Sequence, residues 1–170
     1  MFAIVFVITR PKFTTNWNIV KLLFVAAVKK NWITRQNSLI LYSKKISDCI
    51  LKRLIIILGP TASGKTDMAV NIAQQLDTEI ISADSRQIFK EMRIGTAVPD
   101  RETLRKVKHH LIQNHSVTEY YNVYKYEQEV LDILQNDIFR RKDVSVMCGG
   151  SMLYIDAVCK NSEDNKIIKA

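Results

Sequence analysis

The sequence predicts an α/β fold built on a mainly parallel sheet, with helices on both faces in a three-layer sandwich. Three observations support this fold class. Apolar runs alternate with helical patterns from residue 53 onward. The runs lack the polar alternation of a half-exposed strand, which is typical of strands covered on both faces. A glycine-bounded loop joins the first run to a helix, as in a doubly wound sheet.

The loop after the first run fits the phosphate-binding pattern G-x-x-x-x-G-K-[ST]. Glycine lets backbone N–H groups turn inward around a diphosphate, and the next helix adds free N–H groups and a positive dipole end. Lys65 supplies a charge for phosphate oxygens, and the Thr66 hydroxyl could ligate Mg²⁺. The alternative is a plain strand–helix turn without a ligand. The predicted diphosphate or nucleotide site consists of Gly59, Pro60, Thr61, Ala62, Ser63, Gly64, Lys65 and Thr66.

Each further element is predicted from its own pattern. Helical spacing and capping signals predict helices over 65–76, about 100–106, 123–142 and 152–158. Apolar runs predict strands over 53–58, 78–82, 109–112 and 144–148. Residues 86–98 are predicted to form a short helix and a loop. Asn122 is predicted to cap the long helix, whose apolar stripe comprises Tyr126, Val130, Ile133, Leu134 and Ile138 or Phe139.

Asp84 stands just past the predicted strand 78–82. Ligand sites of open α/β sheets lie at the carboxyl ends of the strands, so Asp84 should share a crevice with the phosphate loop. A helix-capping role is the alternative for this carboxylate. The strand 144–148 ends in Gly149-Gly150, where nucleotide hydrolases usually hold Mg²⁺ with an aspartate. The lack of an aspartate at this position argues against an ordinary phosphoryl-transfer enzyme.

The net charge of +8 belongs to the first third of the chain. Residues 1–52 contain nine basic residues and one acidic residue, whereas residues 53–170 contain 16 of each. The apolar runs 2–8 and 22–28 are far shorter than the ~20 residues of a membrane-spanning helix. Two interpretations stay open for this extension: an organelle-targeting or membrane-surface segment, or a poorly structured or wrongly assigned start. A secretory signal is disfavoured, because no basic region precedes the first run.

The chain is therefore divided into an extension (1–52), a phosphate-loop core (53–159) and a polar tail (160–170). The three cysteines are odd in number and form no C-x-x-C pair. This pattern argues against a disulfide framework or a zinc site and is typical of a protein in a reducing compartment. His109 and His110 are interpreted as surface or core residues, since no partner stands at metal-ligand spacing.

Five motifs, in this order, resemble the tRNA dimethylallyltransferases. The motifs are Gly59–Thr66, Ile81–Phe89, Ile94–Ala97, His109–Ile112 and Gly149–Tyr154. The resemblance implies a phosphate-loop NTPase-like core and transfer of a dimethylallyl group from dimethylallyl diphosphate to N6 of the adenosine 3′-adjacent to the anticodon. It covers about residues 53–159. Members of the family run on past the last motif, so the sheet is expected to be incomplete at its carboxyl-terminal side.

The resemblance also implies roles for individual residues. Asp84 would take the proton from N6, with Thr61 and Lys65 as further catalytic residues and Thr66 beside Mg²⁺. The tRNA side would be lined by Asp84, Ser85, Arg86, Gln87 and Ser151. The expected partners are dimethylallyl diphosphate and the tRNA anticodon arm, and we expect a cytoplasmic monomer without stable membrane association.

Two other functions are weighed against this one. A small phosphate-loop kinase of a metabolite would need an Mg²⁺-holding carboxylate and mobile arginines over the phosphates, and neither pattern is evident. A non-catalytic remnant of a transferase is the second alternative, because the chain stops soon after the glycine motif. A kinase would consume ATP without RNA, whereas a transferase would not. A non-catalytic remnant would not bind diphosphate.

Overall fold

The computed structural model describes residues 4–11, 25–26 and 51–159, and in this part of the chain six strands form one sheet. The helices are α1 (Lys65–Gln75), α2 (Arg101–Lys106), α3 (Val123–Asp132) and α4 (Met152–Cys159). The strands are β1 (Ile4–Pro11), β2 (Val25–Ala26), β3 (Leu51–Leu58), β4 (Ile80–Ser82), β5 (His109–His110) and β6 (Val144–Gly149).

The lateral strand order is β2-β1-β3-β6-β4-β5. The four strands β3, β6, β4 and β5 are mutually parallel, while β1 pairs antiparallel with β3 and β2. The predicted phosphate-loop NTPase-like fold with a mainly parallel sheet is therefore confirmed. The strand β1 was not predicted: it comes from the N-terminal extension and pairs along the whole of β3, from Ile4 opposite Leu58 to Pro11 opposite Leu51.

Two apolar clusters cover the two faces of the parallel sheet. Alternate residues of β3 point into opposite clusters, which explains why its sequence shows no polar alternation. Ile55 and Ile57 pack with the buried face of α1, including Ile72. Leu54 and Ile56 pack on the other face against α3 and α4. The sheet is thus the middle layer of three.

The long helix matches its prediction except for one stretch. The Asn122 side chain accepts a hydrogen bond from the Lys125 backbone N–H at 2.9 Å, as a cap does. After α3 the chain continues through a π-helical segment (Ile133–Ile138) into a last α-helical turn (Phe139–Arg141). The wider turn keeps residues four apart on one buried face. The buried residues of this stripe are Tyr126, Val130, Leu134, Ile138 and Phe139.

Several element boundaries differ from the prediction. The segment 86–98 forms turns and a single 3₁₀ turn (Lys90–Met92), so the short helix predicted there is wrong. The strand predicted over 109–112 ends at His110, because Leu111 adopts a left-handed conformation with φ 59°. The polar tail and most of the extension lie outside the described residues, and so do the competing interpretations of them. Among the described residues, no helix combines the length and apolar character that crossing a membrane requires.

Candidate active site

The phosphate loop follows β3 and leads into α1. Ala62 and Gly64 have φ values of 60° and 76°, and these left-handed turns fold the loop back on itself. The Ser63 N–H donates to the Pro60 carbonyl at 3.3 Å, and the Lys65 ammonium donates to the same oxygen at 3.0 Å. Among the described residues, buried side-chain polar atoms without a hydrogen-bond partner occur in Ser63 (Oγ) and in Arg53, which lies at the far end of β3.

The glycines after β6 bring two loops close to the phosphate loop. A Cβ on Gly149 would lie 2.0 Å from the Ala83 carbonyl oxygen, so only glycine allows β6 to approach the end of β4 this closely. A Cβ on Gly150 would lie 3.5 Å from the Gly59 oxygen, an ordinary contact. The next N–H, that of Ser151, donates to Ala83 at 3.0 Å. The ends of β3, β4 and β6 are therefore locked together.

The loops after β3 and β6 lead to helices on opposite faces of the sheet, α1 and α4. Neighbouring parallel strands whose connections diverge in this way leave a crevice between them, where ligands of α/β proteins bind. The structure has a cleft of about 590 Å³ at this point. It is lined by Leu58, Gly59, Pro60, Thr61, Asp84, Ser85, Arg86, Gly150, Ser151 and Met152.

A second cleft of about 330 Å³ lies on the other side of the phosphate loop. Thr61 and Asp84 line both clefts, so the carboxylate stands between them. The second cleft is lined by Thr61, Ala62, Ser63, Gly64, Lys65, Thr66, Asp67, Asp84, Gln87 and Ala97.

Asp84 combines the two roles weighed from the sequence. Its Oδ1 accepts hydrogen bonds from the backbone N–H groups of Arg86 at 3.0 Å and Gln87 at 3.3 Å, so it does cap the turn that follows β4. These bonds fix the orientation of the carboxylate, and Asp84 lines both clefts. The capping and the position between two clefts are compatible, because a carboxylate has lone pairs for further partners.

Gln87 is held in place by three hydrogen bonds of its side chain. Its side-chain N–H groups donate to the carbonyls of Thr96 at 3.1 Å and Ala97 at 3.0 Å, and its oxygen accepts from Ser82 at 3.2 Å. The amide thus ties the loop before Val98 to the end of β4. Gln87 lines the second cleft, on the phosphate side, whereas Ser85, Arg86 and Ser151 line the larger one.

Two stacked tyrosines connect the end of β4, beside the clefts, to α4. The Tyr126 hydroxyl donates to the Ser82 carbonyl at 2.9 Å, and its ring stacks on Tyr154 of α4 at 4.0 Å. Burial, and then the charge of Asp84, raise the pKa of Tyr154, which keeps its hydroxyl neutral. Burial raises the pKa of the nearby Cys148 thiol to about 12, so this cysteine is not a nucleophile at neutral pH. Sequence reasoning missed this aromatic support, although helical spacing marked Tyr126 as buried.

A separate cluster at the amino ends of β4, β5 and β6 holds the other prominent charges. We call it the Glu79 network. Glu79 binds His110 at 2.6 Å, Arg141 at 2.8 Å and Lys108 at 3.2 Å, and Lys108 also binds Asp137 at 3.2 Å. Glu79, His110 and Asp137 place ligand atoms within 4.8 Å of one another. Two cations already neutralise these carboxylates, however, so the geometry favours an ion-pair network over a metal site.

The structure gathers the predicted site residues around one edge of the sheet. The phosphate loop, Asp84, Ser85, Arg86, Gln87 and Ser151 all line one of the two clefts. The clefts are also lined by residues outside the predicted site: Leu58, Asp67, Ala97, Gly150 and Met152. Ala97 belongs to a motif that was noted, but nothing in the sequence placed it beside the phosphate loop.

The fold and the loop define the class: an α/β protein whose loop at the carboxyl edge of a parallel sheet has the phosphate-binding sequence pattern. Residues 87–169 match the family model "IPP transferase". A tRNA dimethylallyltransferase 1 of Bacteroides thetaiotaomicron is 43% identical over 117 residues, covering 69% of this chain and 38% of the relative. A tRNA dimethylallyltransferase 1 of Porphyromonas gingivalis is 50% identical over 111 residues, covering 65% and 37%.

Solved structures give the same result. A tRNA delta(2)-isopentenylpyrophosphate transferase of Staphylococcus epidermidis matches with a TM-score of 0.58 and 35% identity, over 66% of this chain and 38% of that one. A eukaryotic dimethylallyltransferase acting on tRNA matches with a TM-score of 0.56 over 69% and 31%; at 22% identity it supports the fold alone.

The resemblance to the tRNA dimethylallyltransferase family that the motifs indicate is therefore confirmed. The chain spans less than two fifths of the length of these relatives.

Proposed function

We propose that this protein transfers a dimethylallyl group from dimethylallyl diphosphate to N6 of the adenosine 3′-adjacent to the anticodon of a tRNA. The observation that carries the proposal is the position of Asp84, which lines both the cleft around the phosphate loop and the larger cleft beside it. A transferase of this kind needs its leaving diphosphate and its accepting base on opposite sides of the allylic carbon, with a proton acceptor within reach of N6. The names of the relatives favour this reaction over a metabolite kinase.

The phosphate-loop side supplies groups suited to a leaving diphosphate. Within residues 51–159 the buried Ser63 hydroxyl has no hydrogen-bond partner, which costs stability unless a ligand satisfies it. The Lys65 ammonium donates to a carbonyl of its own loop and can turn toward phosphate oxygens. The allylic C–O bond breaks more readily when the charge developing on the diphosphate is stabilised by such groups, which are already oriented.

The larger cleft suits the accepting adenosine. The adenine N6 attacks the allylic carbon, a C–N bond forms as the C–O bond breaks, and the diphosphate leaves with the electron pair. Asp84 accepts the proton that N6 loses, as a general base positioned by its two backbone hydrogen bonds. The base must leave its stack to enter the cleft, where Arg86 and Ser151 can contact the flanking backbone.

Mg²⁺ is proposed as the cofactor. The Thr66 hydroxyl lines the cleft around the phosphate loop, and an oxygen ligand of this kind fits the ion. When bound with the diphosphate, Mg²⁺ would supply charge neutralisation. We further propose that the chain is a monomer and, because its proposed substrate is tRNA, that it acts in the cytoplasm.

The test is a transfer assay with labelled dimethylallyl diphosphate and an anticodon stem-loop RNA. The variant Asp84→Asn keeps an oxygen that can cap the Arg86 and Gln87 N–H groups but removes the base, and Asp84→Ala removes both. We expect the transfer rate to fall by roughly 10²–10⁴-fold in either variant. Asp132→Ala, at an exposed aspartate of α3, is the matched control and should transfer normally. Undiminished transfer by Asp84→Asn, or none by the unaltered chain, contradicts the proposal.

A further inference from the structure

The turn before α3 exposes two tyrosines beside a lysine. Tyr120 is 75% exposed and Tyr124 54% exposed, and Lys125 is also exposed. The other tyrosines of the described residues are buried or half-buried in the aromatic packing around α3. Aromatic rings of this size are costly to leave in water, so adjacent exposed rings call for an explanation.

These exposed groups are held in place by the fold. The Asn122 amide donates to the Tyr120 hydroxyl at 3.3 Å, and the Lys125 ammonium donates to the Tyr120 carbonyl at 2.6 Å. The same ammonium lies 5.6 Å from the centre of the Tyr120 ring, within cation–π range. A pre-organised aromatic surface loses little conformational entropy when a ligand stacks on it.

The preceding segment is fastened to the loop that leaves the active site. The Lys90 N–H donates to the His115 carbonyl at 2.9 Å, and the Ser116 hydroxyl donates to Glu91 at 2.7 Å. Tyr121 contacts Phe89 edge to face, with ring centres 6.2 Å apart. Because Tyr126 of α3 also donates to the Ser82 carbonyl at the carboxyl end of β4, the start of α3 lies at the same edge of the sheet as the larger cleft.

The charges near this surface favour an anionic ligand. Three basic side chains of the adjoining loop, Arg86, Lys90 and Arg93, are exposed together with Lys125. The carboxylates that stand among them already have partners: Glu91 accepts from Ser116 and from the Val117 N–H, and Glu119 pairs with His115. The surface thus presents ring faces and cations, the combination that binds single-stranded nucleic acid without reading its sequence.

We propose that Tyr120, Tyr124 and Lys125 form an RNA-stacking surface, on which unpaired nucleotides lie when the neighbouring base occupies the larger cleft. The proposal rests on the function proposed above, because that function supplies the RNA and the reason for its position. The tyrosine rings stack on bases, and Lys125 contacts a phosphate.

The experiment measures binding of a fluorescein-labelled anticodon stem-loop RNA to the full chain by anisotropy. Each stacked base is worth about tenfold in affinity, so the double variant Tyr120→Ala/Tyr124→Ala should bind roughly ten- to hundredfold more weakly. The matched variant Tyr120→Phe/Tyr124→Phe keeps both rings and should bind within about twofold of the unaltered chain. Both variants leave the net charge unchanged, so the basic residues of the extension contribute equally to all three affinities.

Lys125→Ala should lower the salt dependence of binding, since one fewer phosphate is neutralised. Circular dichroism and thermal unfolding establish that each variant is folded. Equal affinity of the alanine and phenylalanine variants, or no binding of the RNA by the unaltered chain, overturns the proposal. The outcome is separate from the transfer assay: ring-dependent RNA binding without transfer would support this surface and contradict the proposed function.

Discussion

The phosphate-loop clefts and the Glu79 network lie at opposite ends of the same strands and use polar side chains in opposite ways. In the network, Glu79 is bound by three basic groups, and Lys108 and Arg141 are each shared with Asp137. At the clefts, the Ser63 hydroxyl has no hydrogen-bond partner among the described residues, and the Lys65 ammonium donates to the Pro60 carbonyl of its own loop. The paired charges of the Glu79 network stabilise the fold. The polar groups at the clefts lack such partners, so they are available for a ligand. The comparison predicts that substitutions at the two ends separate stability from binding.

The largest effect is expected at Gly149, where the clefts depend on close backbone contact. Gly149→Ala would place a Cβ 2.0 Å from a backbone oxygen of β4, so the strands must move apart. We expect a loss of about 3 kcal/mol in the free energy of unfolding, measured by urea denaturation. Gly150→Ala is the matched control, because its Cβ meets the nearest atom at 3.5 Å, and it should lose less than about 1 kcal/mol. Similar losses in both variants would contradict the described contact.

The next effect concerns binding alone. Lys65→Ala removes the mobile cation of the phosphate loop, and we expect the affinity for pyrophosphate with Mg²⁺ to fall by roughly ten- to hundredfold, the value of a charge-assisted hydrogen bond. Isothermal titration calorimetry measures the affinity. The midpoint of urea denaturation without ligand should stay close to that of the unaltered chain, and a large drop would show that Lys65 is structural.

The network should give the reverse result. Glu79→Gln removes the charge that three basic groups share, and we expect a loss of about 1–2 kcal/mol in the free energy of unfolding. Pyrophosphate affinity should not change. A variant that unfolds like the unaltered chain but binds pyrophosphate poorly would reverse the assignment of the two ends.

The same carboxylate predicts how stability depends on acid. Burial alone would raise the pKa of Glu79, but hydrogen bonds from His110, Arg141 and Lys108 outweigh burial and hold the pKa below the ordinary 4.5. A carboxyl group whose pKa is lower when folded stabilises the protein above pH 4.5 and loses that contribution as the pH falls through the folded value. Stability should therefore decline below about pH 4.5 in the unaltered chain and less steeply in Glu79→Gln.

The smallest effect is expected at His115. Burial acts to lower its pKa, but hydrogen bonds with Glu119 and Glu129, each at 3.0 Å, outweigh burial and raise the pKa above 6.5. The protonated ring donates from both nitrogens, so its contribution is complete below pH 6.5 and is lost as the pH rises through the folded value. A slight fall in the melting temperature above pH 6.5, absent in His115→Gln, is the expected result. If the melting temperature of His115→Gln depended on pH as that of the unaltered chain does, the hydrogen bonds of His115 to Glu119 and Glu129 would not account for it.

The parts of the fold that the sequence predicts well are those with strong local signals. The glycine spacing predicts the loop 59–66. Short continuous apolar runs, which are typical of buried strands, predict β3 and β6. The capped start of α3 follows from Asn122. These signals are local, so they can be interpreted without knowing how the rest of the chain folds.

The parts that it does not predict depend on distant partners. The strand β1 acquires its place by pairing with β3, about fifty residues away. The sequence alone leaves a targeting or membrane-surface segment and a poorly structured start open for the extension that contains it. The π-helical segment after α3 depends on how that helix packs against the sheet. The resemblance implies a tRNA-side position for Gln87, and the amide of this residue binds two carbonyls of the loop before Val98. Which cleft it lines could be known only once that loop was placed.

The central claim is that the phosphate-loop end is ready for a diphosphate, and thermal unfolding with and without pyrophosphate and Mg²⁺ tests it directly. A ligand at a hundred times its dissociation constant adds about 2.7 kcal/mol to stability. We expect the melting temperature to rise by several degrees, equally in the unaltered chain and in Glu79→Gln, and by about half as much or less in Lys65→Ala at the same concentration. No rise in the unaltered chain, or an equal rise in Lys65→Ala, would contradict the claim.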